Sequence, residues 1–271
     1  MGVRLLEHNN RRIIKMALNL IPHFKRHLGF VNSEFEPICN TSGLNLSFSH
    51  NRYGVSILRD IFNNREYSDF FPFYEDSVIV DVGAHYGYFS LFASKNSDRN
   101  SSIIAIEPVK ENYEILCKNI TDCGLSNIKT VNMALSDTQG IQDIFKSRSH
   151  NCSSFSKDSN LLSSHQSEKV ETLTLSDLFE KFNLQRIDFV KMDCEGAEYP
   201  VLLNSDTDTL SRIRTISIEF HDLKTKEFTG NRLARHLEKC GFRIVKFTYS
   251  PTRMNLNYGK LIATKGIFGE E

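Results

Sequence analysis

From residue 78 onward the apolar positions follow two alternating rhythms. Short, nearly continuous apolar runs, VIVDVG, IIAIE, IKTVNMAL, IDFVKMD and TISIEFH, read as strands buried on both faces. Between them YFSLFASK and VKENYEILCKNI repeat apolar residues at helical spacing, with Pro108 suited to a first helical turn. NRLARHLEKCGF predicts a late helix, and RIVKFTYS and KLIATKG two closing strands, which brings the strands to seven. Strands that alternate with helices predict an α/β fold: a mostly parallel sheet with helices on both faces.

Three stretches break the rhythm. From about Ser136 to Lys169 the chain is dominated by Ser, Asn and charges, which predicts a loop or irregular hairpin acting as a lid, or a partly disordered connection. Upstream, LNLSFS suggests a short strand and YGVSILRDIFNNREY a helix with a looped exit. The nearby aromatic residues Tyr53, Phe62, Tyr67, Phe70, Phe71, Phe73 and Tyr74 suit packing better than a chemical role, with a substrate entrance as the alternative. In the amino-terminal segment Ile14, Leu18, Ile21 and Leu28 recur near helical spacing among Arg11, Arg12, Lys15, Lys25 and Arg26, and Pro22 should divide them. This face suits packing on the main domain or a second subunit, with peripheral contact to an anionic membrane as the alternative. The expected division is an extension over residues 1–50 and a main domain over 51–271.

Composition narrows the class. Lys plus Arg and Asp plus Glu both count 33, with 40% hydrophobic and 11% aromatic residues, which excludes a disordered, collagenous or polybasic chain. No overall charge steers the protein toward nucleic acid. The six cysteines, Cys39, Cys117, Cys123, Cys152, Cys194 and Cys240, form no CxxC pair, so reduced structural thiols are expected. The start lacks the apolar core of a signal peptide and no run reaches the ~18 apolar residues of a membrane span, so the expectation is a soluble, cytoplasmic protein.

The turn Asp81-Val82-Gly83-Ala84-His85-Tyr86-Gly87 follows a strand and precedes a helix. Its glycines permit close backbone approach to a ligand, and in open α/β sheets ligands lie beyond the carboxyl ends of strands. Taken alone it is equally a structural turn, with Asp81 bonding to its own backbone. Glu107, ending the second strand, adds an acid placed to grip adjacent ribose hydroxyls. His85 stands where a dinucleotide turn carries a small residue over the pyrophosphate. That spacing favours S-adenosylmethionine, which has no phosphate to cradle, over a nicotinamide cofactor.

Taken together, DVGAHYGYFS, IEPVKENYEILCKNI, ALSDTQG, IDFVKMDCEGAEYPVL and TISIEFH resemble the FkbM family of methyltransferases over roughly residues 50 to 265. The resemblance implies a Rossmann-like class I methyltransferase fold, S-adenosylmethionine as methyl donor, and mainly O-methylation of small molecules, sugars or natural products. It places Asp81, Gly83 and Gly87 around the methionine part of the cofactor and Glu107 on its ribose. Ala134 and Ser136 would border the adenine, and Asp137 would do the same or stabilise the DTQG turn.

KMDCEGAE brings Lys191, Asp193, Glu195 and Glu198 to the end of the fourth predicted strand, with Lys191 and Asp193 on one strand face and so free to pair. Glu198 suits the positive end of a short helix, and Cys194 reads as packing. Glu219 and His221 share a face of the fifth strand. A neutral His221 is the expected general base, Glu219 its orienting partner, Asp193 a substrate or metal contact, and His85 a second base. Asp193, Glu219 and His221 are also ligand types for magnesium or manganese, although their spacing forms no metal motif. The competing readings are a non-catalytic small-molecule binding or scaffolding protein and a nicotinamide-dependent oxidoreductase.

Overall fold

The computed structural model describes residue 54 and residues 57–64, 66–146, 153–154, 167–221, 228–251 and 257–266. The amino-terminal amphipathic segment, LNLSFS and most of the Ser-rich interval lie outside the described residues. The strands, in chain order, are β1 (Val78–Val82), β2 (Ser102–Ile106), β3 (Ile128–Val131), β4 (Ala134–Leu135), β5 (Gly140–Lys146) and β6 (Ser153–Ser154). They continue with β7 (Ser167–Leu173), β8 (Ile187–Met192), β9 (Ile213–His221), β10 (Arg243–Pro251) and β11 (Asn257–Thr264). The helices are α1 (Tyr88–Asn96), α2 (Lys110–Asp122), α3 (Leu175–Lys181), α4 (Glu198–Asn204), α5 (Thr207–Ser211) and α6 (Gly230–Lys239).

The main sheet has seven strands in the order β10-β11-β9-β8-β1-β2-β3. The pairs from β3 through β9 are parallel, and β11 runs antiparallel to both β9 and β10. The seven predicted strands all contribute to this sheet. The chain winds from β1 outward through β2 and β3, then returns to lay β8 and β9 on the other side of β1. The order therefore reverses between β1 and β8, and a crevice opens at their carboxyl ends, where such sheets bind ligands.

Side-chain alternation explains why the central strands read as continuous apolar runs. Val80, Val82, Ile104, Ile106, Val190, Met192, Ile216 and Ile218 share one cluster with Leu178 and Phe179 of α3, Leu202 of α4, Leu210 of α5 and Leu233 and Leu237 of α6. On the opposite face Phe189 of β8 stacks against Phe89 of α1, ring centroids 6.1 Å apart. Phe71 completes that layer, in edge contact with Phe89, Phe92 and Phe189. Upstream, the expected helix ends in a short π-helical turn, Arg59–Asn63.

One expectation changes. IKTVNMAL is one run in the sequence but two strands in the fold. Asn132 donates its side-chain amide to the carbonyls of Glu107 (2.9 Å) and Pro108 (3.0 Å), which ends β3, and Ala134 and Leu135 then pair with β7. The interval after Ser136 takes the hairpin form among the expected alternatives: β5 pairs antiparallel with β7 from Gly140↔Thr172 to Phe145↔Ser167, forming a second sheet ordered β4-β7-β5-β6. Only one face of this hairpin is buried, at Ile144 and Val170, while Ile141 is 70% exposed. Among the described residues Cys117, Cys123, Cys194 and Cys240 form no disulfide. Among the described residues no helix is long and apolar enough to cross a membrane.

Candidate active site

At the end of β1 the backbone amides of Gly83 and Ala84 donate to the Ile106 carbonyl at 3.1 and 2.9 Å, which binds the turn to β2. Gly83 has φ 74°, and a Cβ there would lie 2.0 Å from the backbone oxygen of Asp193. Only glycine lets the first-strand turn pass so close to the loop after β8. Gly87, φ 84°, caps α1 from outside, and a Cβ on it would meet Leu116 of α2 at 2.4 Å. It serves helix packing and does not line the cavity beside the turn, unlike Gly83 and His85.

That cavity, about 410 Å³, lies within the size range of small-molecule sites. Glu107 sits in its wall at 4% exposure. One carboxylate oxygen accepts from the His85 backbone amide at 2.8 Å, and the other accepts from Val109 N at 3.1 Å and Asn112 Nδ2 at 3.2 Å. Burial pushes the Glu107 carboxyl up to about 7 against those donors and the charge of Lys191. Ala134 and Leu135 line the same cavity.

Asp81 is placed differently from the cofactor contact expected of it. It is fully buried and does not line the cavity. Ser90 donates to Oδ2 at 2.6 Å, and Lys191 Nζ lies 3.2 Å from Oδ1. These two residues are register partners on β1 and β8, so the partner of Lys191 is across the sheet and not Asp193 two residues on. Lys191 also donates to the Gly83 carbonyl at 2.9 Å, tying the turn to β8. Burial alone would drive its pKa down, but Asp81 and Asp193 outweigh burial and hold it raised. Ser136 and Asp137 also stand off the cavity. Ser136 N donates to Leu173 O at 2.9 Å, while Asp137 is exposed and accepts from Ser136 Oγ and Asn204 Nδ2, so both stabilise the turn behind Ala134.

At the other end of the cavity, Asp193 N donates to Val82 O at 3.2 Å. The fully buried Glu198 accepts from Cys194 N at 2.9 Å and Gly196 N at 2.8 Å, folding the DCEGAE loop onto the first turn of α4. Burial, with Glu198 and Asp193, pushes the Cys194 thiol well up, which makes it a poor nucleophile. Glu195 and Glu219 line the cavity beside Asp193. His221 Nε2 lies 3.6 Å from Glu195 and 3.9 Å from Glu219, and Nδ1 lies 3.9 Å from Glu198. Asp193, Glu219 and His221 each offer a ligand atom, all within 4.8 Å of one another.

The electrostatics alter the role expected of the imidazole. Burial disfavours a charged ring, yet Glu195, Glu198 and Asp193 outweigh burial and raise His221 to about 10. In the free protein it is an imidazolium at neutral pH, not the neutral base that its ordinary pKa suggests. Burial and Asp193 raise Glu219 to about 8, despite the opposing charge of His221.

Some wall residues carried no chemical assignment in the sequence. Lys260 of β11 pairs with Glu66, lies 3.8 Å from Glu219 Oε2, and has its pKa lowered by burial. Its signal was a lysine in an apolar strand, which resembles an ordinary solvated charge until β11 is set in register against Glu219. Tyr67, among the aromatic residues read as packing, is 5% exposed and lines the cavity, its ring 5.9 Å from Lys191 Nζ and 6.0 Å from Lys260 Nζ. Asn112, one helical turn into α2, was missed although it braces Glu107.

A reversed parallel sheet, a glycine turn and a buried acid at the end of β2 define an α/β protein built to hold an adenosyl cofactor. Residues 81–244 match the family description Methyltransferase FkbM domain, and the chain belongs to that family. It is an S-adenosylmethionine-dependent methyltransferase with the class I fold. This membership sets aside the oxidoreductase and non-catalytic readings. The chain is 27% identical over 205 residues to Methyltransferase 1 of Beauveria bassiana, covering 69% of this chain and 80% of that protein. It is 28% identical over 220 residues to Methyltransferase sdnD of Sordaria araneosa, covering 70% and 82%. Against AMB antimetabolite synthetase AmbE of Pseudomonas aeruginosa it is 25% identical over 240 residues, 75% of this chain but 11% of that protein. Among solved structures, M. capricolum TrmK with S-adenosyl-homocysteine aligns at TM-score 0.46 and 16% identity, covering 78% of this chain and 72% of that one. M. jannaschii TYW2 with AdoMet aligns at 0.44 and 16%, covering 86% and 87%.

Proposed function

We propose that the enzyme transfers a methyl group from S-adenosylmethionine to a hydroxyl of a small molecule, of the sugar or natural-product kind. One observation carries this reading: a single cavity is lined by Gly83, His85 and Glu107 and also by Asp193, Glu195 and Glu219. Cofactor and acceptor can therefore meet in one water-limited space. The similarity to an antimetabolite synthetase supports a small-molecule acceptor.

The residues present fit the cofactor. Glu107 has two acceptor oxygens in the wall for the ribose hydroxyls, the Gly83–His85 backbone leaves room for the amino-acid tail, and Ala134 and Leu135 give an apolar border for the adenine. Asp81, Gly87, Ser136 and Asp137 act one step back, holding the turns that carry these contacts. When bound, the cofactor supplies an electrophilic methyl group: the acceptor oxygen's lone pair forms the new O–C bond as the C–S bond breaks, leaving S-adenosylhomocysteine. The acceptor's proton passes to the carboxylate of Asp193 or Glu195, while His221 balances their charge and fixes their positions. His85, in the cofactor wall with its ring stacked at 3.8 Å on Tyr86, is the second candidate to orient the hydroxyl.

The test incubates purified protein with methyl-labelled S-adenosylmethionine and a small-molecule extract, and identifies labelled products by mass spectrometry. A labelled methyl ether is expected, and its yield should drop at least ~100-fold in His221→Gln. Label appearing only on nitrogen, sulfur or protein would overturn the hydroxyl assignment.

A further inference from the structure

We propose that Asp193, Glu219 and His221 form a site for one divalent cation of the magnesium and manganese class, which holds the acceptor oxygen beside the cofactor. This deepens the reading above and rests on it for its chemistry, though not for its geometry.

The backbone brings the three ligands together. Met192 and Ile218 are register partners on β8 and β9, so Asp193, the next residue, is level with Glu219, and His221 follows on the same face of β9. The three ligand atoms lie within 4.8 Å of one another. Donors bound at ~2.0–2.4 Å to one centre are separated by no more than about that span. The frame is held from behind: Asp193 N bonds to Val82 O, and Glu198 fixes the amides of Cys194 and Gly196.

The donor set selects the ion. Two carboxylate oxygens suit a hard cation, and one imidazole nitrogen tilts the preference from magnesium toward manganese. Three protein ligands leave half of an octahedral sphere for water and acceptor oxygens, so a vicinal diol would fit better than an isolated hydroxyl.

The imidazole supplies an independent observation. Among the described residues no acceptor comes within hydrogen-bond distance of the buried His221 Nδ1, and the Glu198 carboxylate stands at ion-pair distance, 3.9 Å. Nε2 stands 3.6 and 3.9 Å from Glu195 and Glu219, just beyond hydrogen-bond reach of either. The ring thus stands at ion-pair distance, and not at hydrogen-bond distance, from three acids. Of the nearby lysines, Lys191 binds Asp81 and the Gly83 carbonyl, and Lys260 pairs with Glu66 and stands 3.8 Å from Glu219 Oε2. A cation among the three ligands would bond the His221 ring and the Asp193 and Glu219 carboxylates directly, with the imidazolium proton released to solvent as the ion binds. Glu195 stays outside the ligand set and would take the proton of the ion-bound hydroxyl as the O–C bond forms and the C–S bond breaks.

The experiment titrates chelator-stripped protein with Mn²⁺ alone and follows free Mn²⁺ by electron paramagnetic resonance. S-adenosylhomocysteine affinity is measured by calorimetry on the same samples. One Mn²⁺ per chain is expected, displaced by excess Mg²⁺ and weakened at least ~10-fold in Asp193→Asn, Glu219→Gln and His221→Gln. Each variant should still bind S-adenosylhomocysteine, which shows that it is folded. Stripped protein that takes up no stoichiometric Mn²⁺, or variants that bind it unchanged, would overturn the site. Loss of S-adenosylhomocysteine binding by the parent protein would count instead against the cofactor assignment, and Mn²⁺ uptake would still decide the ion.

Discussion

An unfolded glutamate ionises near ~4.3, whereas burial holds Glu107 at about 7. Between those values the folded chain binds more protons than the unfolded one, so stability contributed below ~4.3 is lost as pH rises through about 7, by roughly 4 kcal/mol at most. Melting curves from pH 4.5 to 8 should show this loss in the parent and much less of it in Glu107→Gln; equal slopes would remove Glu107 as its source. In the proposed site the ribose hydroxyls donate to the ionised Glu107 carboxyl, which predicts that S-adenosylhomocysteine affinity rises with pH through about 7 and flattens in the same variant. The buried Asp81–Lys191 pair behaves differently. Lys191→Met alone leaves an uncompensated carboxylate and should cost about 3–5 kcal/mol in chemical denaturation, whereas Asp81→Asn with Lys191→Met should recover much of that loss.

At the scale of elements the tightest junction lies between the turn after β1 and the loop after β8. Gly83→Ala would drive a methyl into the Asp193 backbone oxygen at a positive φ, with neither backbone free to yield. The expected outcome is a loss of several kcal/mol and no detectable S-adenosylhomocysteine binding, read by melting and calorimetry. The central strands β1, β2, β8 and β9 were legible because burial on both faces makes them continuous apolar runs, and Glu107 because an acid closes one of those runs. The β5–β7 hairpin was legible only as one of two alternatives, a loop or an irregular hairpin, since one wet face dilutes its pattern with Ser, Lys and Glu. Asp81 misled for a physical reason: an acid beside a glycine turn looks like a ligand contact, and only the register of β1 against β8 shows the lysine that claims it. The charge state of His221 was hidden in the same way, because Glu195 and Glu198 reach it only after the DCEGAE loop folds back.

Across the whole molecule, the cavity wall is drawn from distant parts of the chain: the upstream segment with Tyr67, the central strands, and β11 with Lys260. Phe71 anchors the upstream segment, 3% exposed, with ring centroids 6.2, 5.7 and 5.5 Å from Phe89, Phe92 and Phe189. Phe71→Ala should cost about 3–5 kcal/mol and shrink the melting shift produced by S-adenosylhomocysteine, because the wall it supports loosens with it. An unchanged shift would show that this segment is dispensable for the cofactor. The contact of Gly83 with Asp193, reinforced by Lys191 on the Gly83 carbonyl, has a consequence for redesign. The proposed donor pocket and the proposed reacting acids hang from one shared crossing, so neither can be re-cut without shifting the other. Altered acceptor preference is better sought at wall residues away from that crossing, through substitutions at Tyr258, Lys260 and Tyr67.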